Sequence, residues 1–187
     1  MAGDTGALEA LMKRHSERIY RLAYGIARNH ADAEEIVQDV FLTLVRKGGG
    51  FEGHAALTTW MYRVTTNTAL NKRRGKRRDV EVSLEEHLPT FKEDGHRDGD
   101  RSYLLADWSG MPEERFASAE VRTILGQAID ALPDHYRAVL ILRDVEELSN
   151  EEVASIVDDS VGSVKSRLHR ARMALREQLT RRLGGRP

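Results

Sequence analysis

Ser163, Lys165, Ser166, Arg167, His169, Arg170 and Arg172 crowd into ten consecutive positions near the C-terminal end. Their chemistry is hydrogen bonding by short polar groups and positive charge, which suits base edges and phosphates rather than bond making. Val161, Val164, Leu168, Ala171 and Leu175 recur at three- and four-residue steps through the same stretch, so one helix carries the apolar stripe and the basic residues lie opposite it. Before it, Val153, Ile156 and Val157 predict a shorter helix, and Asp158-Asp159-Ser160 a tight polar turn. Two helices joined this way form a helix-turn-helix. Ser160 is placed to cap the second helix, and Ser149 with Glu152 has capping-box spacing for the first. The plainer alternative is a solvated basic helix, since the same geometry occurs without DNA.

A second set of such residues lies upstream. Thr58 or Thr59 can cap a helix whose buried stripe is Trp60, Met61, Val64 and Leu70. Its other face offers Tyr62, Arg63, Thr66, Asn67 and Asn71, followed by Lys72, Arg73, Arg74 and a basic run ending at Arg78. Rings and guanidinium planes stack on unpaired bases while Lys and Arg follow phosphates, so the combination suits single-stranded nucleic acid. Taken alone, the aromatic rings fit a core equally well. A third face is acidic: Asp32, Glu34, Glu35, Gln38 and Asp39 on a helix starting at Asp32, with Ile36, Val37, Val40, Phe41, Leu44 and Val45 as its apolar stripe and Gly48 to Gly50 as its stop. Acids near a helix N-terminus are favoured by the dipole, and the same face could meet a basic partner.

The elements that position these faces are all helical. Leu8, Leu11, His15, Ile19, Leu22 and Ile26 predict a helix from Thr5 to Arg28. Phe51 to Leu57 reads as a loop. Val121 to Leu132 predicts a helix closed by Pro133, and Asp134 to Val145 another. No strand signal rises, so the fold class is all-α. Three parts follow: residues 1–78, a linker over 79–111 rich in Gly and acids, and residues 112–187 with the helix-turn-helix. Within the linker, Tyr103 to Trp108 is apolar enough to dock on something.

Charge is segregated along the chain although its sum is only −1 over 187 residues. Six of the seven residues from Lys72 to Arg78 are basic, Asp79 to Glu120 holds twelve acidic against four basic residues, and Ser160 to Pro187 eight basic against one acidic. Two polyanion contacts separated by a spacer that avoids them fit this pattern. Cysteine is absent, which excludes disulfides and thiolate metal sites, and the seven histidines form no HxxxH or HxxH pair. No metal, no cofactor and no catalytic constellation is expected; the chain does not read as an enzyme. No apolar run is long enough to span a bilayer and Met1 to Ala10 lacks a secretion signal, so no membrane insertion and a cytoplasmic location are expected.

In order along the chain, "SERIYRLAYGIARNHADAEEIVQDVFLTL", "TTWMYRVTTNTALNKRR", "ALPDHYRAVLILRDVEELSNEEVASI" and "VGSVKSRLHRARMALR" resemble the bacterial extracytoplasmic-function sigma factors, two-domain specificity subunits of RNA polymerase. The resemblance implies that Asp32, Glu35, Gln38, Asp39, Phe41 and Leu44 bind core polymerase. It implies that Trp60, Arg63, Asn67, Asn71, Lys72, Arg73 and Arg74 capture the −10 strand, with the loop from Gly53 to Leu57 holding a flipped base. It implies that Ser163, Lys165, Ser166, Arg167, His169 and Arg170 read duplex DNA at −35, with Arg172 and Arg167 on phosphates. Implied partners are core polymerase, promoter DNA and an anti-sigma factor. Asp158 and Asp159 stand where the family has a glycine and an apolar residue, which brings two acids close to the DNA and removes an apolar contact. The alternative is a stand-alone helix-turn-helix regulator, dimeric on a palindrome, which leaves the acidic helix and the Trp60 segment without a purpose.

Overall fold

The apolar steps from Leu8 to Ile26 produce α1, Thr5–Ala27, in a computed structural model that describes residues 5–47, 54–76 and 119–183. Helix α1 ends at Arg28, held left-handed at φ 55°, whose N–H donates to the Tyr24 carbonyl at 2.8 Å. Asn29 Oδ1 then accepts from the Asp32 N–H at 3.0 Å, so Asn29 opens the next helix and α2 spans His30–Lys47, starting ahead of the expected Asp32. The Tyr24 and His30 rings stack across this corner with centroids 4.4 Å apart.

Helix α3 covers His54–Lys76. It begins before Thr58 and Thr59, so neither is its cap, and the loop expected as far as Leu57 is helical from His54; Ala55 and Ala56 are strong helix formers. Helix α4, Ala119–Asp130, is followed by the Leu132-Pro133 corner and α5, Asp134–Leu140. The expected continuous helix to Val145 widens over Ile141–Val145 into a π turn, where Glu146 N–H donates to the Ile141 carbonyl at 2.9 Å. Helices α6, Asn150–Val157, and α7, Val161–Leu183, complete the described chain. The glycine stop at 48–50, the linker and its Tyr103 to Trp108 segment lie outside the described residues.

Helices α1, α2 and α3 pack on one another, and α4, α5 and α6 pack around α7. Ile19, Leu22, Ile26, Ile36, Val40, Phe41 and Met61 fill the first group; Leu132, Val139, Leu142, Val153, Ile156, Val164 and Leu168 fill the second. Each such side chain contributes about 1.5–3 kcal/mol by leaving water. The two groups touch: α1 and α3 both meet α5, and α3 meets α6, so a single apolar core runs through both.

Caps set the short helices. Helix α6 is only eight residues long and relies on its capping box, Glu152 N–H to Ser149 Oγ at 3.1 Å and Ser149 N–H to Glu152 Oε2 at 2.8 Å. Ser149→Ala is expected to lower stability by about 1 kcal/mol, read by urea denaturation; no change in the midpoint would show that packing alone holds α6.

Candidate nucleic-acid interface

The helix-turn-helix is built as its polar residues dictate. Asp158 ends α6 in the left-handed region at φ 55° and ψ 53°, a conformation that Asp tolerates better than most residues. Ser160 Oγ accepts from the Ser163 N–H at 3.1 Å, the expected cap of α7. Asp159 is a matched acid rather than a bare one. Its Oδ1 accepts from the Ser160 N–H at 2.7 Å, its Oδ2 accepts from Ser163 Oγ at 2.9 Å, and the same oxygen lies 2.6 Å from Arg167 Nη2. The backbone hydrogen bond from Ser160, the Ser163 hydroxyl and the Arg167 charge hold its carboxyl below the usual range. A polar clamp thus replaces the missing apolar contact.

Along α7, Lys165, Ser166 and His169 are exposed at helical steps on one face. Ser163 and Arg167 flank it half-buried in the Asp159 clamp. Arg170 is also half-buried: its Nε is buried with no hydrogen-bond partner, and its Nη1 lies 3.5 Å from the Tyr136 hydroxyl. Arg172 forks onto Asp144 of the π turn at 2.9 and 2.5 Å, and that hydrogen bonding raises its pKa further.

On α3 the expected residues separate into two groups. Arg63, Asn67, Asn71 and Arg74 follow one another at four-, four- and three-residue steps and are exposed. Lys72 pairs instead with Glu35 at 2.6 Å, and Arg73, with its side chain only 14% exposed, donates to Asp134 Oδ1 at 2.5 Å and the Ala27 carbonyl at 2.9 Å. Trp60 is half-buried against the core. Tyr62 and Thr66, expected on the outer face, are buried; the Tyr62 hydroxyl donates to Glu146 Oε2 at 3.1 Å, and burial, then the Glu146 charge, push its pKa well above the ordinary value.

Helix α2 corrects the sequence reading at the edge of its apolar stripe. Phe41 and Leu44 are core residues, 4% and 5% exposed, and support the helix from beneath. Val45, expected in the stripe, is 61% exposed, and Leu42 is 53% exposed. Glu35, Gln38, Leu42 and Val45 make one outward row at helical steps, with Asp32 and Asp39 half-buried beside it. Sequence reasoning did not name Leu42 and placed Val45 in the buried stripe; the signal for their exposure was an apolar set too wide for one buried face.

Residues 11–79 match the family model for sigma-70 region 2, and residues 122–175 that for sigma-70, region 4. The ECF RNA polymerase sigma factor SigW of Bacillus subtilis is 34% identical over 95% of this chain and 91% of its own length. The ECF RNA polymerase sigma-E factor of Escherichia coli K12 is 33% identical over 92% of this chain and 86% of its own. The fold is like that of the sigma factor RpoE solved with the anti-sigma factor NepR from Bartonella quintana, with a TM-score of 0.64 at 23% identity over 92% of this chain and 96% of that one. It is also like that of CnrH solved with the cytosolic domain of CnrY, with a TM-score of 0.59 at 19% identity over 93% and 88%.

Proposed function

The chain belongs to the extracytoplasmic-function group of RNA polymerase sigma factors, and from that membership we propose how its surfaces divide the work of initiation. The observation that carries the reading is the order of the two matched regions on two packed helical groups, the second ending in a helix-turn-helix with a basic outer face. A sigma factor binds core polymerase, recognises promoter elements at −35 and −10, and promotes melting between them. We assign residues 1–78 to core binding and −10 capture, 79–111 to the linker, and 112–187 to −35 recognition.

The core-binding surface is the outward row of α2, Glu35, Gln38, Leu42 and Val45, with Asp32 and Asp39; Phe41 and Leu44 fix its shape from below. Lys165, Ser166 and His169 enter the major groove, and Ser163, Arg167 and Arg170 flank them. Arg63, Asn67, Asn71 and Arg74 line the −10 strand, with Trp60 as a stacking edge and Lys72 and Arg73 as phosphate contacts once released from their carboxylates. Core polymerase fixes the spacing, so two weak DNA contacts act as one through effective concentration. Capture of a single strand favours the melted state over the duplex, and base flipping is least costly where pairing is already lost. The sigma subunit makes no covalent bond; that chemistry is the polymerase's. An anti-sigma factor as partner, named for one protein of similar fold, and a cytoplasmic site of action complete the reading.

In vitro transcription with bacterial core polymerase on templates with randomised upstream sequence tests this directly. Transcripts from defined starts sharing two spaced elements are expected only when the protein is added. Binding to a palindrome as a dimer without any affinity for core would favour the stand-alone regulator instead. Lys165→Ala is expected to weaken −35 binding evenly across sequences and to reduce the salt dependence by about one ion, measured as the slope of log affinity against log salt. A loss confined to one base position would make Lys165 a base reader.

A further inference from the structure

Both oxygens of Asp159, in the turn of the helix-turn-helix, are committed to the start of α7. Oδ1 accepts from the Ser160 N–H at 2.7 Å, and Oδ2 accepts from Ser163 Oγ at 2.9 Å. Arg167 Nη2 lies 2.6 Å from the same Oδ2. The Ser163 N–H donates to Ser160 Oγ at 3.1 Å, so the cap of α7 and the carboxylate fix each other. Ser163 and Arg167 are four residues apart and share one row, at the edge of the exposed face made by Lys165, Ser166 and His169. The Arg167 side chain is 32% exposed and that of Asp159 24%, so a phosphate arriving from outside can compete for the guanidinium. On the opposite edge of the face Arg172 is also forked onto a carboxylate, that of Asp144.

Two acceptors compete for Arg167. On DNA a guanidinium forks onto phosphate oxygens and displaces about one counterion. On Asp159 it meets a carboxylate already oriented by a backbone N–H and a hydroxyl, which removes much of the ordering cost that weakens an ordinary surface pair. The pair also cancels the charge that would draw Arg167 towards phosphates. We propose that Asp159 is a positioning residue for −35 recognition: it keeps Arg167 and the Ser163 hydroxyl off the DNA, so that Lys165, Ser166 and His169 make the contact. The −35 contact is then weaker than the number of basic residues on α7 suggests. A weak contact does not hold the holoenzyme on duplex DNA by itself, so promoter choice depends on the −35 and −10 elements together. The inference rests on the assignment of the outer face of α7 to the −35 element.

The test uses the holoenzyme, assembled from the full chain and bacterial core polymerase. It reads the affinity for a duplex promoter and the slope of log affinity against log salt. Asp159→Asn keeps an oxygen for the Ser160 N–H and gives up the charge that holds Arg167. It is expected to tighten promoter binding about fivefold and to steepen the slope by about one ion. Loss of an acid near DNA would tighten binding by itself, so Arg167→Ala is measured in both backgrounds. With Asp159 in place, Arg167→Ala is expected to leave the slope unchanged; added to Asp159→Asn, it is expected to reduce the slope by about one ion. An ion lost with Asp159 in place overturns the proposal, because Arg167 then reaches phosphate in spite of the carboxylate. An unchanged slope in both backgrounds overturns it too, because Asp159 then withholds nothing. If Asp159→Asn loses helical content by circular dichroism, Asp159→Ser, whose hydroxyl can also accept from the Ser160 N–H, takes its place. Lys165→Ala in the same assay judges the −35 assignment. No change of slope there means that this face does not meet DNA, and the assignment and the inference fall together. One ion lost from Lys165→Ala beside either adverse result for Arg167 removes the inference alone.

Discussion

Replacing Arg137 with methionine is expected to lower the unfolding free energy by about 3–5 kcal/mol, the range for stripping one partner from a buried charged network. Arg137 is fully buried. Its guanidinium donates to the carbonyls of Asp130 at 2.6 Å, Leu132 at 2.7 Å, Ile129 at 3.0 Å and Ile26 at 3.1 Å, and to Asp134 Oδ1 at 3.2 Å. These acceptors are the end of α4, the corner before α5 and the last turn of α1. Methionine fills most of the stem volume, so the loss is one of hydrogen bonds rather than a cavity, and each stranded buried acceptor costs about 1–3 kcal/mol before water relaxes it. Arg137→Lys is expected to recover only part, because an ammonium has three donors for five acceptors and no planar fork. Urea denaturation of the three chains measures both; a loss below about 1 kcal/mol for methionine would show that water substitutes freely at this corner.

How far the sequence could be read follows from whether a signal is local. The helix-turn-helix, the Ser149–Glu152 box and the Ser160 cap were legible because cap and acceptor lie within three residues of each other. Helices α1, α2 and α7 were legible from periodicity. The phase of α2 was legible too, since Ile36, Val40, Phe41 and Leu44 go in as the stripe has them, but its edge was not: Val45 reads as part of the stripe, and only packing against α1 and α3 decides that it stays out with Leu42. Nor could the fate of the arginines be read. Arg63, Arg73 and Arg137 look alike in sequence as charged helix positions, yet one is exposed and bonded to α6, one is nearly buried on Asp134 and one is enclosed. Their partners lie far along the chain or across a corner, and no spacing rule reaches them. The same holds for Glu146, which reads as part of a polar connection and is buried between Arg18 and Tyr62.

Gly25 of α1 meets Ile141 of the π turn where the two helical groups touch, and enlarging it is expected to show whether the groups can part without unfolding. A Cβ at Gly25 would lie 3.2 Å from Ile141 Cγ2 and 3.4 Å from its Cδ1. Gly25→Ala sets two effects against each other: alanine gains up to about 1 kcal/mol of helix propensity, and Ile141 must give by a few tenths of an ångström. Ile141 is β-branched and stiff about its first torsion, so the net change is expected near zero. Gly25→Leu adds three more carbons to a filled space. Overpacking of that kind costs about 1–3 kcal/mol, which outweighs the propensity gained. The strain falls between α1 and the π turn of the second group, not inside either group's own core. The expected outcome is therefore a fall in energy transfer between fluorophores placed on the two helical groups, with helical content retained. A Gly25→Leu chain that loses stability but keeps the two groups together would mean that Ile141 yields within its own group, and that the pairs of Arg18 with Glu146, Arg28 with Asp130 and Arg73 with Asp134 hold the groups without the apolar contact.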